Sequence, residues 1–133
     1  KGLVVVLAGY KKEMEEMFTR NAGLKSRFNH YFDFPDWSIN DCVSHVVAMA
    51  EKAGFESLSL ACRGILLKGF KNLILLPGWA NGRDVVHVWE EIQRKRATRV
   101  YDLPVGLKRE VEMSDIEKAF QEVLSSRGEK EEK

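Results

Sequence analysis

Helical periodicity dominates the chain after Pro35, and it limits the possible folds more than any other feature. Gly, Pro and Ser signals divide this part into four segments, at about residues 39–53, 58–72, 82–101 and 114–124. Each segment carries one apolar stripe, and four amphipathic helices of this length can bury their stripes against one another. The stripe of the last segment comprises Ile116, Ala119, Phe120, Val123 and Leu124. The sequence therefore predicts an all-α four-helix domain over residues 37–127.

Each predicted helix is preceded by a side chain that can accept a hydrogen bond from the first free amides. Two of these signals have the spacing of a capping box, in which a serine and an acidic residue three positions later bind each other's amides. The predicted capping groups are the boxes Ser38 with Asp41 and Ser114 with Glu117, and the single residues Ser57 or Ser59 and Asn81. These signals place the helix starts.

The first 36 residues follow a different pattern. The β-branched run at residues 3–8 ends at Gly9, which is typical of a strand buried on both faces of a parallel sheet. An amphipathic helix is predicted at residues 11–20. A second strand is predicted at residues 28–34, because its large apolar side chains share one parity before Pro35.

Two strands cannot bury each other as four helices can, so residues 1–36 predict only part of a sheet. The predicted fold is an α/β remnant of two parallel-sheet strands and one helix, followed by the four-helix domain. Residues 128–133 are predicted to form a charged tail.

Composition excludes several classes of function. Twenty-one basic residues against twenty acidic ones give a net charge of +1, so no overall attraction to nucleic acid or to an anionic membrane is expected. The apolar runs are too short to cross a bilayer, and no secretory signal pattern is present. Cys42 and Cys62 are predicted to be reduced core residues of an intracellular, cytoplasmic protein. The three histidines have no ligand spacing, so no metal site is predicted.

Two arginines lie in motifs that typically contact a nucleotide phosphate. Arg27 ends the run Gly-Leu-Lys-Ser-Arg at residues 23–27, and Arg83 lies in Asn-Gly-Arg-Asp at residues 81–84. A guanidinium is permanently charged and can bind two phosphoryl oxygens at once. The chain has no Gly-x-x-x-x-Gly-Lys-Ser/Thr loop and no apolar strand ending in two acidic residues. The two arginines therefore predict contacts to a phosphate, although the chain does not contain the phosphate-binding loop itself.

Four motifs in this order resemble the C-terminal half of AAA+ ATPases, in the branch of sporulation protein K and red-type Rubisco activase, the CbbX-like proteins. The resemblance extends from residue 3 to about residue 125. The motifs are Val-Val-Val-Leu-Ala-Gly-Tyr at residues 4–10, Asn-x-Gly-Leu-x-Ser-Arg-Phe at 21–28, Asp-Phe-Pro-Asp at 33–36 and Asn-Gly-Arg-Asp-Val at 81–85.

The resemblance implies a role for three side chains. Arg27 corresponds to the arginine finger, a catalytic residue that reaches the nucleotide of the neighbouring subunit. Such fingers contribute roughly 10³ to 10⁵ in rate in phosphoryl transfer. Arg83 corresponds to sensor 2, which binds the γ-phosphate of its own subunit, and Tyr10 to sensor 1, which positions the attacking water. The alternatives are a surface arginine, an ordinary turn before a helix and a tyrosine that packs at a strand end.

The resemblance also implies a function, a cofactor and partners. The complete protein would use ATP with Mg to remodel a protein substrate, in a ring of neighbouring subunits that is expected to be a hexamer. This segment is expected to be inactive alone and to hold no nucleotide tightly. The alternative is a non-enzymatic helical module for protein–protein interaction, in which the arginines are structural.

A basic cluster on the third predicted helix leaves one further choice open. It could contact nucleic acid, a translocated substrate or an acidic partner, or it could be a solvated helix face. Its members are Arg94, Lys95, Arg96 and Arg99.

Overall fold

The computed structural model describes residues 2–104 and 110–131, with side chains as far as Gly128. The chain folds into two compact units, Lys1–Pro35 and Asp36–Lys133. We refer to them as the first unit and the second unit. No helix in the described ranges is both long enough and apolar enough to span a membrane.

The first unit contains two helices, α1 at Lys11–Arg20 and the single turn α2 at Ala22–Lys25. The helix predicted at residues 11–20 is therefore confirmed, whereas α2 was not predicted. Phe18 of α1 is half-buried, and its ring lies 6.0 Å from the ring of Phe28 and 6.2 Å from that of Tyr31. These ring contacts hold the segment after α2 against α1.

The predicted α/β remnant is wrong, because residues 2–104 and 110–131 contain no strand. The side chains that should line a buried sheet are exposed: 88% of the surface of Leu3 and 90% of that of Phe34 are accessible. A β-branched run becomes a strand only when another strand pairs with its amides and carbonyls. The described backbone of this unit provides no such neighbour, so the local preference for strand is not realised.

The described residues of the second unit form four helices, as the sequence predicts. They are α3 at Ile39–Lys52, α4 at Leu60–Leu73, α5 at Gly82–Val100 and α6 at Met113–Glu131. Helix α6 packs against α4 and α5, while α3 also packs against α4 and α5. The last two residues of the expected charged tail lie outside the described ranges, and α6 continues to Glu131.

One apolar core joins all four helices of this unit. Its largest fully buried side chains include Leu66 and Phe70 of α4 and Ile92 of α5. The rings of Phe70 and Phe120 meet edge to face, with centroids 5.2 Å apart. Gly69 permits this approach, because a Cβ atom there would lie 2.3 Å from the Phe120 ring. The predicted burial of two reduced cysteines is also confirmed, since Cys42 and Cys62 are buried and free.

The capping signals are confirmed for α3 and α4. The amide of Asp41 donates to Ser38 Oγ at 3.1 Å, and the amide of Ser38 donates to Asp41 Oδ2 at 3.0 Å. This is the predicted capping box. Of the two serines proposed for α4, Ser59 is the cap, because its hydroxyl accepts from the amide of Cys62 at 3.2 Å.

The other two predicted caps are wrong. Helix α6 begins at Met113, so Ser114 lies inside it, and the Asp115 carboxylate instead accepts from the amide of Glu112 at 2.9 Å. The side chain of Asn81 makes no capping bond to α5. It binds other segments of the second unit, as described below.

Candidate functional site

The first turn of α5 carries the arginine predicted as sensor 2. Residues 80–83 form a β-turn closed by a hydrogen bond from the amide of Arg83 to the carbonyl of Ala80, at 3.1 Å. Asn81 has φ of 49° and ψ of −121°, which is the geometry of the second residue of a type II′ turn. The turn leads directly into α5, and Arg83 is the second residue of this helix.

The Arg83 side chain is exposed and has no partner within the described residues. Every other arginine of the described second unit donates to an acceptor from its own unit. These arginines are Arg63, Arg94, Arg96, Arg99 and Arg127. A free guanidinium beside a helix N-terminus fits an anion, since the helix dipole and the fixed positive charge attract it together.

The negative charge next to Arg83 is neutralised by another part of the unit. Asp84 is buried, and its Oδ2 accepts from the amide of Ala80 at 2.6 Å. Its other oxygen, Oδ1, accepts from Nη2 of Arg127 on α6. Because Asp84 is already paired, it does not compete with an incoming anion for Arg83.

The first amides of α5 are already hydrogen-bonded within the turn. The amide of Arg83 is bound to Ala80, and the amides of Asp84 and Val85 both donate to the carbonyl of Asn81, at 3.0 and 3.1 Å. A phosphate at this end of α5 would therefore be held by the guanidinium, and these three amides would not contribute.

Arg27 lies in the first unit, immediately after α2. Its amide donates to the carbonyl of Leu24 at 3.1 Å, and the next residue, Phe28, packs against Phe18 as described above. The Tyr31 hydroxyl donates to the carbonyl of Lys25 at 3.2 Å, which closes the same segment. The backbone is thereby held, while the Arg27 side chain is exposed and makes no hydrogen bond or ion pair among the described residues.

Tyr10 also lies in the first unit, at the N-terminal cap of α1. Its carbonyl accepts from the amide of Met14 at 2.9 Å, and 78% of its surface is exposed. Its side chain makes no hydrogen bond or ring contact within residues 2–35, and none joins it to Arg27. The packing role that was the alternative for this tyrosine is therefore not seen in the described chain.

The basic cluster on α5 is largely satisfied within the unit. Arg94 forms an ion pair with Glu91, and Lys95 forms one with Glu122. Arg96 donates a hydrogen bond to the carbonyl of Glu110, and its guanidinium lies 4.5 Å from the centre of the Phe55 ring. Arg99 forms ion pairs with Glu112 and Asp115. The Arg94–Glu91 pair lies within α5, whereas the contacts of Lys95, Arg96 and Arg99 bind α5 to α6, to the segment before α6 and to Phe55 after α3. The cluster is therefore neither a simple solvated helix face nor a free basic surface for nucleic acid, because its side chains bind acceptors within the second unit.

Sequence reasoning missed the partners of Asn81 and Asp84. Asp84 binds Arg127, which is 43 positions away, and the Asn81 amide group binds residues as far as 45 positions away. Only the Asn-Gly pair itself, a frequent turn signal, marked the position as unusual. The described residues also contain no group of three or more His, Cys, Asp or Glu that could hold a metal ion.

Comparison with known proteins adds the family. The chain matches no protein-family profile. It is 31% identical over 100 residues to the protein CfxQ homolog of Galdieria sulphuraria, a match that covers 75% of this chain and 32% of that protein. It is 30% identical over 100 residues to protein CfxQ of Xanthobacter flavus, covering 75% of this chain and 31% of that protein.

A third relative is the chloroplastic ribulose bisphosphate carboxylase/oxygenase activase of Cyanidioschyzon merolae. It is 26% identical over 102 residues, which cover 77% of this chain and 34% of the relative. The chain thus spans about a third of the length of the curated relatives that it matches. By these matches and by its motifs, it belongs to the CbbX-like, or CfxQ, family of AAA+ proteins, of which it resembles the C-terminal half.

Proposed function

We propose that the chain is the sensor 1, arginine-finger and lid segment of a AAA+ ATPase. Residues 1–36 would belong to the nucleotide-binding core and residues 37–127 to the helical lid. The observation that carries the proposal is the exposed, unpaired guanidinium of Arg83 at the start of α5, in a unit whose other described arginines are all bound. A positive charge kept free at a helix N-terminus suits a phosphate ligand.

Arg83 is assigned the role of sensor 2, which binds the γ-phosphate of the nucleotide held by its own subunit. Its charge stabilises the bound triphosphate, and the II′ turn at residues 80–83 fixes the point from which it reaches. When the phosphate is released, Arg83 loses its ligand, so the lid can respond to the state of the nucleotide.

Arg27 is assigned the role of arginine finger, which contacts the nucleotide bound to the neighbouring subunit. Its exposure, and the lack of a partner for it among the described residues, support this role, because an arginine finger must be free to reach the neighbouring subunit. In that position its planar fork binds the oxygens on which charge redistributes during transfer. Tyr10, which is also exposed, is assigned the role of sensor 1, which positions the attacking water.

ATP with Mg supplies the phosphoryl group and the metal charge in the complete protein. The partners in this proposal are neighbouring subunits of a ring, with a hexamer as the expected size, and a protein substrate. One relative is named an activase of ribulose bisphosphate carboxylase/oxygenase, and this name supports an enzyme of that kind as the protein substrate. The segment alone would not hydrolyse ATP, because it contains no P-loop.

The test of Arg83 uses the complete protein, in which this segment follows a P-loop. Arg83→Ala should weaken ATP binding and nucleotide-dependent lid movement within each subunit, measured by ATP titration and by ATP turnover. Arg20→Ala is the matched control, because Arg20 is a surface arginine at the end of α1 that the proposal does not use.

The test of Arg27 separates a role in trans from a role in cis. Arg27→Ala should leave ATP binding nearly intact and lower ATP turnover by at least about 100-fold. This threshold is set below the roughly 10³- to 10⁵-fold rate contribution that is typical of arginine fingers. Mixing it with subunits that carry Arg27 but a disabled P-loop should restore part of the activity. Turnover unchanged by both substitutions would contradict the proposal and favour a non-enzymatic interaction module.

A further inference from the structure

The side chain of Asn81 joins two segments of the second unit that are far apart in sequence. Its Oδ1 accepts from the amide of Trp37 at 2.8 Å and from the indole Nε1 of Trp79 at 3.1 Å. Its Nδ2 donates to Asp36 Oδ1 at 2.7 Å. One amide group thus binds the chain where it enters the second unit, at Asp36 and Trp37, and the loop before α5.

The backbone of Asn81 is strained to make these contacts. Asn81 is the one non-glycine residue with positive φ in the described chain. At the second position of a type II′ turn glycine is the preferred residue, since a Cβ atom is unfavourable there. The backbone conformation of Asn81 therefore costs conformational free energy, and the three hydrogen bonds of its side chain offset that cost.

The packing around the turn leaves little room for the entering segment to move. The Trp37 ring lies against Gly82, where an added Cβ atom would be 3.2 Å from the ring. Trp37 also meets the ring of His45 on α3 edge to face, with centroids 5.1 Å apart. The entering segment, the turn and α3 are therefore packed as one block, and Arg83 is the next residue after Gly82.

We propose that Asn81 is the positioning residue of the nucleotide sensor, which couples the direction of Arg83 to the segment at Asp36 and Trp37. The inference rests on the proposed function of Arg83. Asn81 does not contact the nucleotide. It fixes the turn from which Arg83 projects, and it ties this turn to the chain that follows Pro35. A shift of this entering segment would then move the sensor, and binding at the sensor would act back on the segment with equal free energy.

The first experiment tests the contacts in the chain itself. Asn81→Gly keeps a residue suited to the II′ geometry and removes all three hydrogen bonds, so the turn can persist without the coupling. In a ¹H–¹⁵N NMR spectrum, the resonances of the Trp79 indole and of the Trp37 amide should shift, and the Trp37 amide should exchange faster, because both groups lose their acceptor. Ser59→Ala, which removes the cap of α4, is the control and should leave these resonances in place.

The second experiment uses the complete ATPase and a double-mutant cycle. Asn81→Gly should weaken ATP binding roughly 5-fold or more, which is the lower bound typical of coupling between sites. The double variant Asn81→Gly/Arg83→Ala should bind ATP no more weakly than Arg83→Ala alone, because Asn81 acts only through Arg83. Ser59→Ala should bind ATP like the unmodified protein.

The outcomes separate this inference from the function on which it rests. If Arg83→Ala leaves ATP binding unchanged, the sensor assignment fails, whatever Asn81 does. If Arg83→Ala weakens binding while Asn81→Gly does not, or if the two losses add fully, the positioning role of Asn81 is refuted and the sensor assignment stands. Unshifted Trp79 and Trp37 resonances in Asn81→Gly would contradict the contacts themselves.

Discussion

The guanidinium of Arg99 binds both carboxylate oxygens of Asp115, with Nε to Oδ1 and Nη2 to Oδ2 each at 2.9 Å. This hydrogen-bonded pair raises the pKa of Arg99 above its ordinary value. Asp115 is buried at the start of α6, and Arg99 lies near the end of α5. Together with Asp84 and Arg127 at the other end, the pair fixes α5 and α6 in antiparallel register.

Arg99 and Arg83 lie on the same helix, and their removal should have different consequences for stability. Arg99→Ala leaves the buried Asp115 carboxylate without its partner, so it should lower the free energy of unfolding by about 3 kcal/mol. Arg83→Ala removes no hydrogen bond or ion pair to another described residue and should change the free energy of unfolding by less than about 0.5 kcal/mol. Urea unfolding followed by circular dichroism measures both. Equal losses for the two variants would contradict the pairing of Arg99 with Asp115.

Two glycines of α4 provide a test of the core packing. Gly69→Ala would place a Cβ atom 2.3 Å from the Phe120 ring, and the resulting overpacking should cost about 1–3 kcal/mol. Gly64→Ala is the matched control, since nothing lies within 4 Å of its added Cβ atom. Because alanine is the better helix former, Gly64→Ala should raise the stability by up to about 1 kcal/mol. Thermal unfolding distinguishes the two, and a stabilising Gly69→Ala would show that α4 and α6 do not make this contact.

The thiol of Cys42 should be unreactive in the folded protein. Burial, and then the charge of Asp41, raise its pKa to about 11. At about pH 8 only about one thiol in a thousand is then a thiolate, the form that reacts with alkylating agents. Iodoacetamide should therefore modify Cys42 slowly in buffer and rapidly in concentrated urea, as measured by mass spectrometry. Fast alkylation of the folded chain at Cys42 would contradict its burial.

The capping box of α3 should make its contribution to stability dependent on pH. Hydrogen bonds from the Ser38 hydroxyl, and then from its amide, lower the pKa of Asp41 below its ordinary 3.8. Since the folded-state pKa is the lower one, the stabilisation is present above about pH 4 and disappears as the pH falls through the folded value.

The Ser38→Ala variant tests this dependence. The unmodified chain should be more resistant to urea than Ser38→Ala at about pH 7, and the part of this difference that is due to Asp41 should be lost at about pH 2. Ser57→Ala serves as a comparison, because Ser57 caps no helix. A difference that is the same at both pH values would show that Asp41 does not take part in the box.

Local sequence signals were sufficient for most of the second unit. The four apolar stripes gave the helices, and the serines at positions 38 and 59 gave two of their starts, because a helix and its cap are made by residues within one or two turns of each other. Helix α6 begins at Met113, two residues before the start that a Ser114 cap would set, and the Asp115 carboxylate accepts from the amide of Glu112 and also binds Arg99.

Long-range partners could not be read from the sequence. Asn81 was expected to cap α5, yet its side chain binds Asp36, Trp37 and Trp79, two of which are more than 40 positions away. The same holds for Lys95 and Arg96 of the basic cluster, which bind Glu122 on α6 and the carbonyl of Glu110 before α6. Which of several possible partners a side chain binds depends on which of them the tertiary fold places within hydrogen-bonding distance.

The sequence by itself determined the helices of the second unit, the burial of its two cysteines and the family to which the chain belongs, because apolar spacing and short motifs are properties of the chain. Tertiary structure alone decided that the run at residues 3–8 is not a strand, that Arg99 binds Asp115 and that Arg83 has no partner among the residues the structure describes. The physical reason is that strand pairing and charge neutralisation depend on which distant groups become neighbours, and this is set by packing.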